Sequence, residues 1–150
     1  MNRTIVAFHP DDRGDWVAEL ACLHGQHVRH APPFRLAPWV LEESGRAERV
    51  GSELDCPLCD RAELPQGLRV VRTTDVWDEH NAPAALRRAH RVGTWGRLQV
   101  EHGEVRFHAE TEPPLEIVVG AGASQPIPPD VEHHVELSGA VRFSVEFLRR

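Results

Sequence analysis

The sequence predicts a mainly β chain in two parts, a small Cys/His module at the front and a β-barrel behind it, and three observations carry that expectation. Beyond Gly67 the apolar residues fall into short runs divided by turn formers, the pattern of a sandwich or barrel. Ahead of that point lie all three cysteines, Cys22, Cys56 and Cys59, and the closely spaced histidines His24, His27 and His30. Between Asp60 and Gly67 the pattern loses its period around Pro65, so the expected domains are residues 1–63 and 68–150.

The first element is the β-prone run Arg3–Phe8, followed by the turn formers of residues 9–15 and a second strand-like run from Trp16 to Cys22, together a hairpin signal. Pro32 and Pro33 block a helix in the stretch after Leu23, which is read as extended or looped. A short helix is expected from Trp39 to about Val50, then a tight turn over residues 55–60. In the second part the candidate strands are Leu68–Thr73, Ala84–Arg91, Thr94–Glu101, Glu104–His108, Leu115–Val119, Glu132–Leu137 and Ala140–Leu148. His102-Gly103 reads as a tight hairpin joining Leu98–Val100 to Val105–Phe107.

Composition narrows the function classes. With 150 residues, 41% hydrophobic, 27% charged and a net charge of −6, the chain belongs to the ordinary globular class. The acidic balance offers no basic footprint, so nucleic acid is not an expected partner. No stretch approaches the roughly 20 apolar residues of a membrane span, and no signal-peptide core follows Met1, which points to the cytoplasm and away from membranes. An odd number of cysteines in a reducing compartment argues for metal or thiol chemistry over disulfides.

Cys56-x-x-Cys59 is a two-thiolate knuckle whose sulfurs can reach one ion at about 2.3 Å. Cys22 offers a third sulfur, and His24, two residues on, shares its strand parity and so its direction. A zinc-ribbon-like Cys₃His site built from Cys22, His24, Cys56 and Cys59 follows, with His27 and His30 as alternatives for the fourth position. Buried core thiols and a redox pair are the competing readings, the latter weakened because no strand-helix frame surrounds the motif. A module of about 60 residues has little core of its own, so a structural zinc would supply folding energy. The residues Trp16–Leu20, Cys22, His24–His30, Pro32-Pro33, Trp39-Val40, Gly45-Arg46 and Leu54–Cys59 resemble a small bacterial family of unknown function. That resemblance implies a recurring module and brings no activity.

In the second part, Gly122-x5-Pro128-x-Asp130-x2-His133 follows the spacing of the second cupin motif, with Asp130 where glycine is usual. The resemblance implies a cupin-like double-stranded β-helix, a jelly-roll barrel in which His133 points inward and binds a divalent metal. Strand parity agrees, placing His133, Val135 and Leu137 on one face and Glu132, His134 and Glu136 on the other. His90 is the second candidate ligand; His102 and Glu146 are weaker ones, and the identity of the ion is open. From about Trp77 to Phe147, the residues His90, Val92–Leu98, Val100, Gly103, Phe107, Ile127–Pro129, His133, Val135-Glu136 and Phe143-x3-Phe147 resemble the cupin-type domain at the front of some tellurite-resistance methyltransferases. The methyltransferase part has no counterpart here, since no glycine-rich nucleotide loop is present.

Three functions follow as expectations. One is a metal-binding cupin-like protein that recognises a small molecule or oxyanion, or serves tellurite-type stress resistance. Another is a non-catalytic sensing or interaction module stapled by zinc. The third is a metal-dependent enzyme, for which all catalysis would rest on an ion with open positions, because no nucleophile set is visible. Exposed strand edges suggest a homodimer.

Overall fold

The computed structural model describes residues 1–150, which form two compact units, Met1–Pro57 and Leu58–Arg150. Both are built on antiparallel sheets, so the mainly β expectation holds. No helix is long and apolar enough to cross a membrane.

In the first unit, β1 (Asn2–Pro10), β2 (Trp16–Leu20), β3 (Gly25–Val28) and β4 (Glu53–Asp55) form a sheet of order β3-β2-β1-β4. The β1–β2 hairpin closes where the Asp11 carboxylate accepts the backbone N–H groups of Arg13 and Asp15 at 2.8 and 2.9 Å, the local bond that makes Asp a turn residue. The helix expected over Trp39–Val50 is split into a 3-10 turn, Pro38–Leu41, and α1, Glu43–Arg49, because Glu42 between them is extended. No residue of α1 is buried. Arginines link this segment to aromatic rings instead: the Arg46 guanidinium lies 3.6 Å from the Trp16 ring centroid and that of Arg49 lies 4.8 Å from Trp39. The core beneath is small, consisting of Ile5, Val17, Ala18, Leu20 and Val40 together with buried Cys22, His24 and Cys56.

The second unit contains β5 (Arg69–Thr73), β6 (Trp77–Asp78), β7 (Trp95–His102), β8 (Glu104–Ala109), β9 (Leu115–Gly120), β10 (Ser124–Ile127), β11 (His133–Leu137) and β12 (Arg142–Arg149). One sheet runs β10-β7-β12-β5 with β6 also on β12, and the other runs β11-β8-β9. Phe143, Val145 and Leu98 from the first sheet and Phe107, His133 and Val135 from the second line one cavity, the two-walled arrangement of a cupin-like jelly roll.

Three expectations are corrected. Ala84–Arg91 is not a strand: Ala84–Arg87 form a 3-10 turn after Pro83, consistent with an Ala-rich run that lacks β-branched residues. Ser124–Ile127 is a strand despite Pro126, because β10 lies at a sheet edge, where a missing N–H is tolerated. Nor do β7 and β8 form the hairpin that His102-Gly103 suggested; β7 pairs with β10 and β12, and β8 with β9 and β11. The chain turns from one wall to the other at Gly103, whose φ is +73° and whose absent Cβ would stand 2.2 Å from the Ala140 carbonyl oxygen.

This corner yields a stability test. Gly103→Ala should destabilise the second unit by about 2 kcal/mol or more, since backbone strain and a clash with main chain add together. Gly122→Ala, at φ +82° with open space around it, should cost only about 1 kcal/mol. Urea unfolding of both variants checks this, and equal losses would mean that the Ala140 contact is relieved at no cost.

Candidate metal centre and barrel histidines

Cys22, His24, Cys56 and Cys59 are all buried, and one ligand atom from each lies within 4.8 Å of the others. Each pair comes from its own turn. At the end of β2 the chain reverses through Leu23, at φ +71°, with the Leu23 N–H donating to the Leu20 carbonyl (2.8 Å) and the Leu20 N–H to that of His24 (2.9 Å). Cys22 and His24 therefore converge through a turn, not through the strand parity argued from sequence. The other pair is held by α2, the single helical turn Pro57–Asp60, where the sequence suggested only a tight turn. Proline at its first position suits a helix start, because the missing N–H has no intrahelical partner there.

Strand β1 brings the two turns together. It pairs Ile5 with Leu20 on one side and Asn2 with Asp55 on the other. Ala21 N–H donates to the Thr4 carbonyl at 2.8 Å and Cys56 N–H to the Met1 carbonyl at 2.8 Å, so both ends of the site are registered on the same strand.

The spacing of the ligand atoms tests the fit. A tetrahedral ion with sulfur at about 2.3 Å and imidazole nitrogen at about 2.0–2.1 Å requires edges of roughly 3.8 Å between sulfurs and 3.6 Å between sulfur and nitrogen. The Cys22 and Cys56 sulfurs are 3.9 Å apart, and His24 Nδ1 lies 3.5 and 3.4 Å from them. The three edges thus have tetrahedral lengths, and the residues fit a four-coordinate metal. Burial works against a charged His24, but hydrogen bonds to Cys22 and Cys56 outweigh it and raise the imidazole to about 9. Without an ion, the cluster therefore retains a proton on His24 at neutral pH, which a metal must displace.

His27 and His30 lie outside this group. His27 Nε2 meets the Asp11 carboxylate at 2.8 Å, a hydrogen bond that holds Asp11 below the usual carboxylate range. His30 Nδ1 accepts the Ala37 N–H at 3.1 Å.

In the barrel, His90 and His133 are joined by an isolated antiparallel bridge in which each N–H donates to the other's carbonyl, at 3.1 and 3.0 Å. Their ring centroids are 4.2 Å apart. Each Nδ1 lies against the carbonyl two residues earlier, His90 on Arg88 at 2.9 Å and His133 on Val131 at 2.8 Å. A carbonyl can only accept, so both Nδ1 atoms carry a proton, which leaves Nε2 of each neutral ring as the atom available to a metal. His133 is 5% exposed; burial, partly opposed by the Val131 hydrogen bond, lowers it to about 4, and it is neutral at pH 7. Both rings line an otherwise apolar cavity of about 60 Å³.

Glu146 and His102 do not join them. Val145 and Phe147 face the cavity, whereas the Glu146 carboxylate is held by Arg97 at 2.6 Å and Gln99 at 3.0 Å. His102 is exposed at the end of β7, opposite Arg142. Sequence reasoning did not single out His134 with His108 and Glu136, a group that only the β8–β11 register brings together.

Comparisons with known proteins agree with this division. Residues 6–63 match the model of DUF3565, described as a protein of unknown function, and residues 72–145 match the TehB-like domain. YeaR of Escherichia coli K12, described as uncharacterized, is 29% identical over 96 residues, covering 57% of this chain and 81% of its own length. Its counterpart in strain O157:H7 matches equally. Among solved structures, a protein from E. coli K12 aligns with a TM-score of 0.52 and 26% identity over 58% of this chain and 87% of that one. TehB from Haemophilus influenzae aligns with a TM-score of 0.50 and 26% identity over 57% of this chain but only 32% of TehB. The chain thus carries a segment that matches DUF3565 ahead of one that matches the TehB-like domain.

Proposed function

We propose that this is a metal-binding, cupin-like protein that takes up a small oxyanion or similarly compact molecule, in a role related to tellurite-type stress resistance. Zinc at Cys22, His24, Cys56 and Cys59 is the structural ion, and a second divalent ion at His90 and His133 receives the ligand. The observation that carries the first site is the set of tetrahedral edge lengths among the Cys22 and Cys56 sulfurs and His24 Nδ1. Four saturating protein ligands leave no position for a substrate, which is the pattern of a structural site. Such an ion supplies roughly 10–16 kcal/mol at neutral pH, far more than the small core of the first unit can be expected to provide.

For the second site the support is the common tautomer of His90 and His133 at the wall of the cavity. Two imidazoles leave several coordination positions to water or to a ligand. A cavity of about 60 Å³ is small beside the ~300–1,000 Å³ of pockets for larger organic ligands. A compact oxyanion bound through the ion matches that size. The ion would supply positive charge to such a ligand, while the apolar walls keep water from competing. Methyl transfer is not carried over, because the chain aligns with only 32% of TehB.

A second reading, a protein-interaction module, draws on Phe34 and Leu36, which are 94% and 73% exposed near the Ala31–Arg35 bridge of the first unit. Loss of a partner from Phe34→Ser with metal content unchanged would favour it.

Elemental analysis of untagged protein should find about one zinc per chain, absent from Cys56→Ser. A further ion should disappear from the His90→Ala/His133→Ala double variant while the zinc stays. Wild-type protein that refolds without taking up any metal would overturn both assignments.

Zinc affinity should also climb with pH. Below about 9 the ion displaces a proton from His24, so this residue alone contributes about one log unit of affinity per pH unit between pH 6 and 8. Competition with a chromophoric chelator should give a slope of one or more, reduced by about one in His24→Ala. An unchanged slope in that variant would remove His24 from the ligand set.

A further inference from the structure

The outer face of the β11-β8-β9 sheet carries another group of ligand-type side chains, separate from both sites above. In the β8–β11 pairing His134 stands directly opposite His108, and Glu136 opposite Arg106. A strand's period of two puts His134 and Glu136 on the face away from His133 and Val135. The rings of His108 and His134 stack in parallel, 4.5 Å between centroids and 3° between planes. One ligand atom from each of His108, His134 and Glu136 lies within 4.8 Å of the others.

A second observation points to an occupant. His108 Nε2 is sealed from solvent and makes no hydrogen bond, with the Glu136 carboxylate 3.5 Å away. A buried polar atom left without a hydrogen bond is a cost to the fold unless something uses it. The surroundings also favour a cation. Glu116 lies 4.0 Å from His108 Nδ1, and Arg106 is the guanidinium paired with both carboxylates, at 2.9 Å to Glu116 and 3.8 Å to Glu136. Two carboxylates against one guanidinium leave a net negative charge around the imidazoles.

We propose that His108, His134 and Glu136 form a binding site for a borderline divalent transition ion, such as nickel or zinc, on the outside of the barrel. Two imidazoles and one carboxylate favour such ions over magnesium or calcium, which prefer all-oxygen sites. An imidazole coordinates in its own plane, so the parallel rings must each tilt, by roughly 45°, before their nitrogens converge on one ion at about 2.0–2.1 Å. The ion would cross-link β8 to β11 on the face opposite the cavity, and its remaining positions would face solvent. Three partly exposed ligands hold it more weakly than the buried thiolates hold zinc, so the site loads only after the front centre is full.

Calorimetric titration of full-length protein carrying one zinc per chain with nickel chloride tests the site. One ion per chain beyond any held by His90 and His133 is expected to bind, about tenfold or more weakly in His134→Gln, since even loss of an outer-shell partner typically costs 10–100-fold. Glu136→Gln, at a side chain that is 58% exposed, should weaken binding by a smaller factor. His80→Gln, at a histidine remote from the group in sequence and 84% exposed, should leave binding unchanged. Failure of folded wild-type protein to bind nickel would overturn the proposal, as would equal affinity in wild type and His134→Gln. Loss of binding in His90→Ala with full binding in His134→Gln would place the ion inside the barrel and overturn it as well.

Discussion

Burying three sulfurs and an imidazole within 4.8 Å of one another sets the terms for the strands and turns that carry them. Such groups are stable in an interior only when each has a partner, and four of them converging on one point are best satisfied by an ion. To assemble them, residues more than 30 positions apart must be fixed to a fraction of an ångström. Strand β1 does this, because the turn after β2 and the knuckle after β4 are both hydrogen-bonded to it. A one-residue slip of either neighbour would reverse its side chains and break the quartet. The sheet register and the metal geometry are therefore a single constraint, and the apolar core can be small because it does not have to specify the register alone.

The barrel histidines obey a different logic. Nothing saturates them; two backbone carbonyls fix their tautomer and a reciprocal bridge fixes their separation. Burial keeps His133 neutral, so no proton has to leave before it can coordinate at pH 7. His24 is the opposite case, an imidazole whose proton is retained by neighbouring sulfurs until an ion replaces it. The same side chain thus sits protonated among sulfurs in one place and neutral against an apolar wall in the other.

Much of this was legible in the sequence, and the failures have physical causes. Cys56-x-x-Cys59 was readable because a two-residue spacer brings two sulfurs to one ion whatever the surrounding fold. Cys22 and His24 were paired correctly on an incorrect argument: Leu23 adopts a left-handed conformation that sequence rules assign to glycine or asparagine, so the turn could not be seen. The inward face of His133 followed from alternation, which is local. Sheet membership is not local, and His102-Gly103 looked like a hairpin although the chain there changes walls. Pro126 hid β10, since the sequence does not reveal which strands lie at an edge.

His133 and His134 show what alternation does with adjacent identical residues. Facing inward, His133 meets Phe107, with ring centroids 5.9 Å apart, and the bridge to His90. Facing outward, His134 meets His108 across the strand pair. The strand periodicity that carries one imidazole to the cavity necessarily carries the next to the surface. What the outer residue encounters then depends on register alone, since β8 contributes His108 at the facing position and Phe107 to the cavity. Both strands therefore place an apolar or buried group inward and a nitrogen ligand outward at the same level. A shift of one residue between β8 and β11 would separate His108 from His134 and would also displace Phe107 from Val135, so the packing of the cavity wall enforces the alignment of the outer pair.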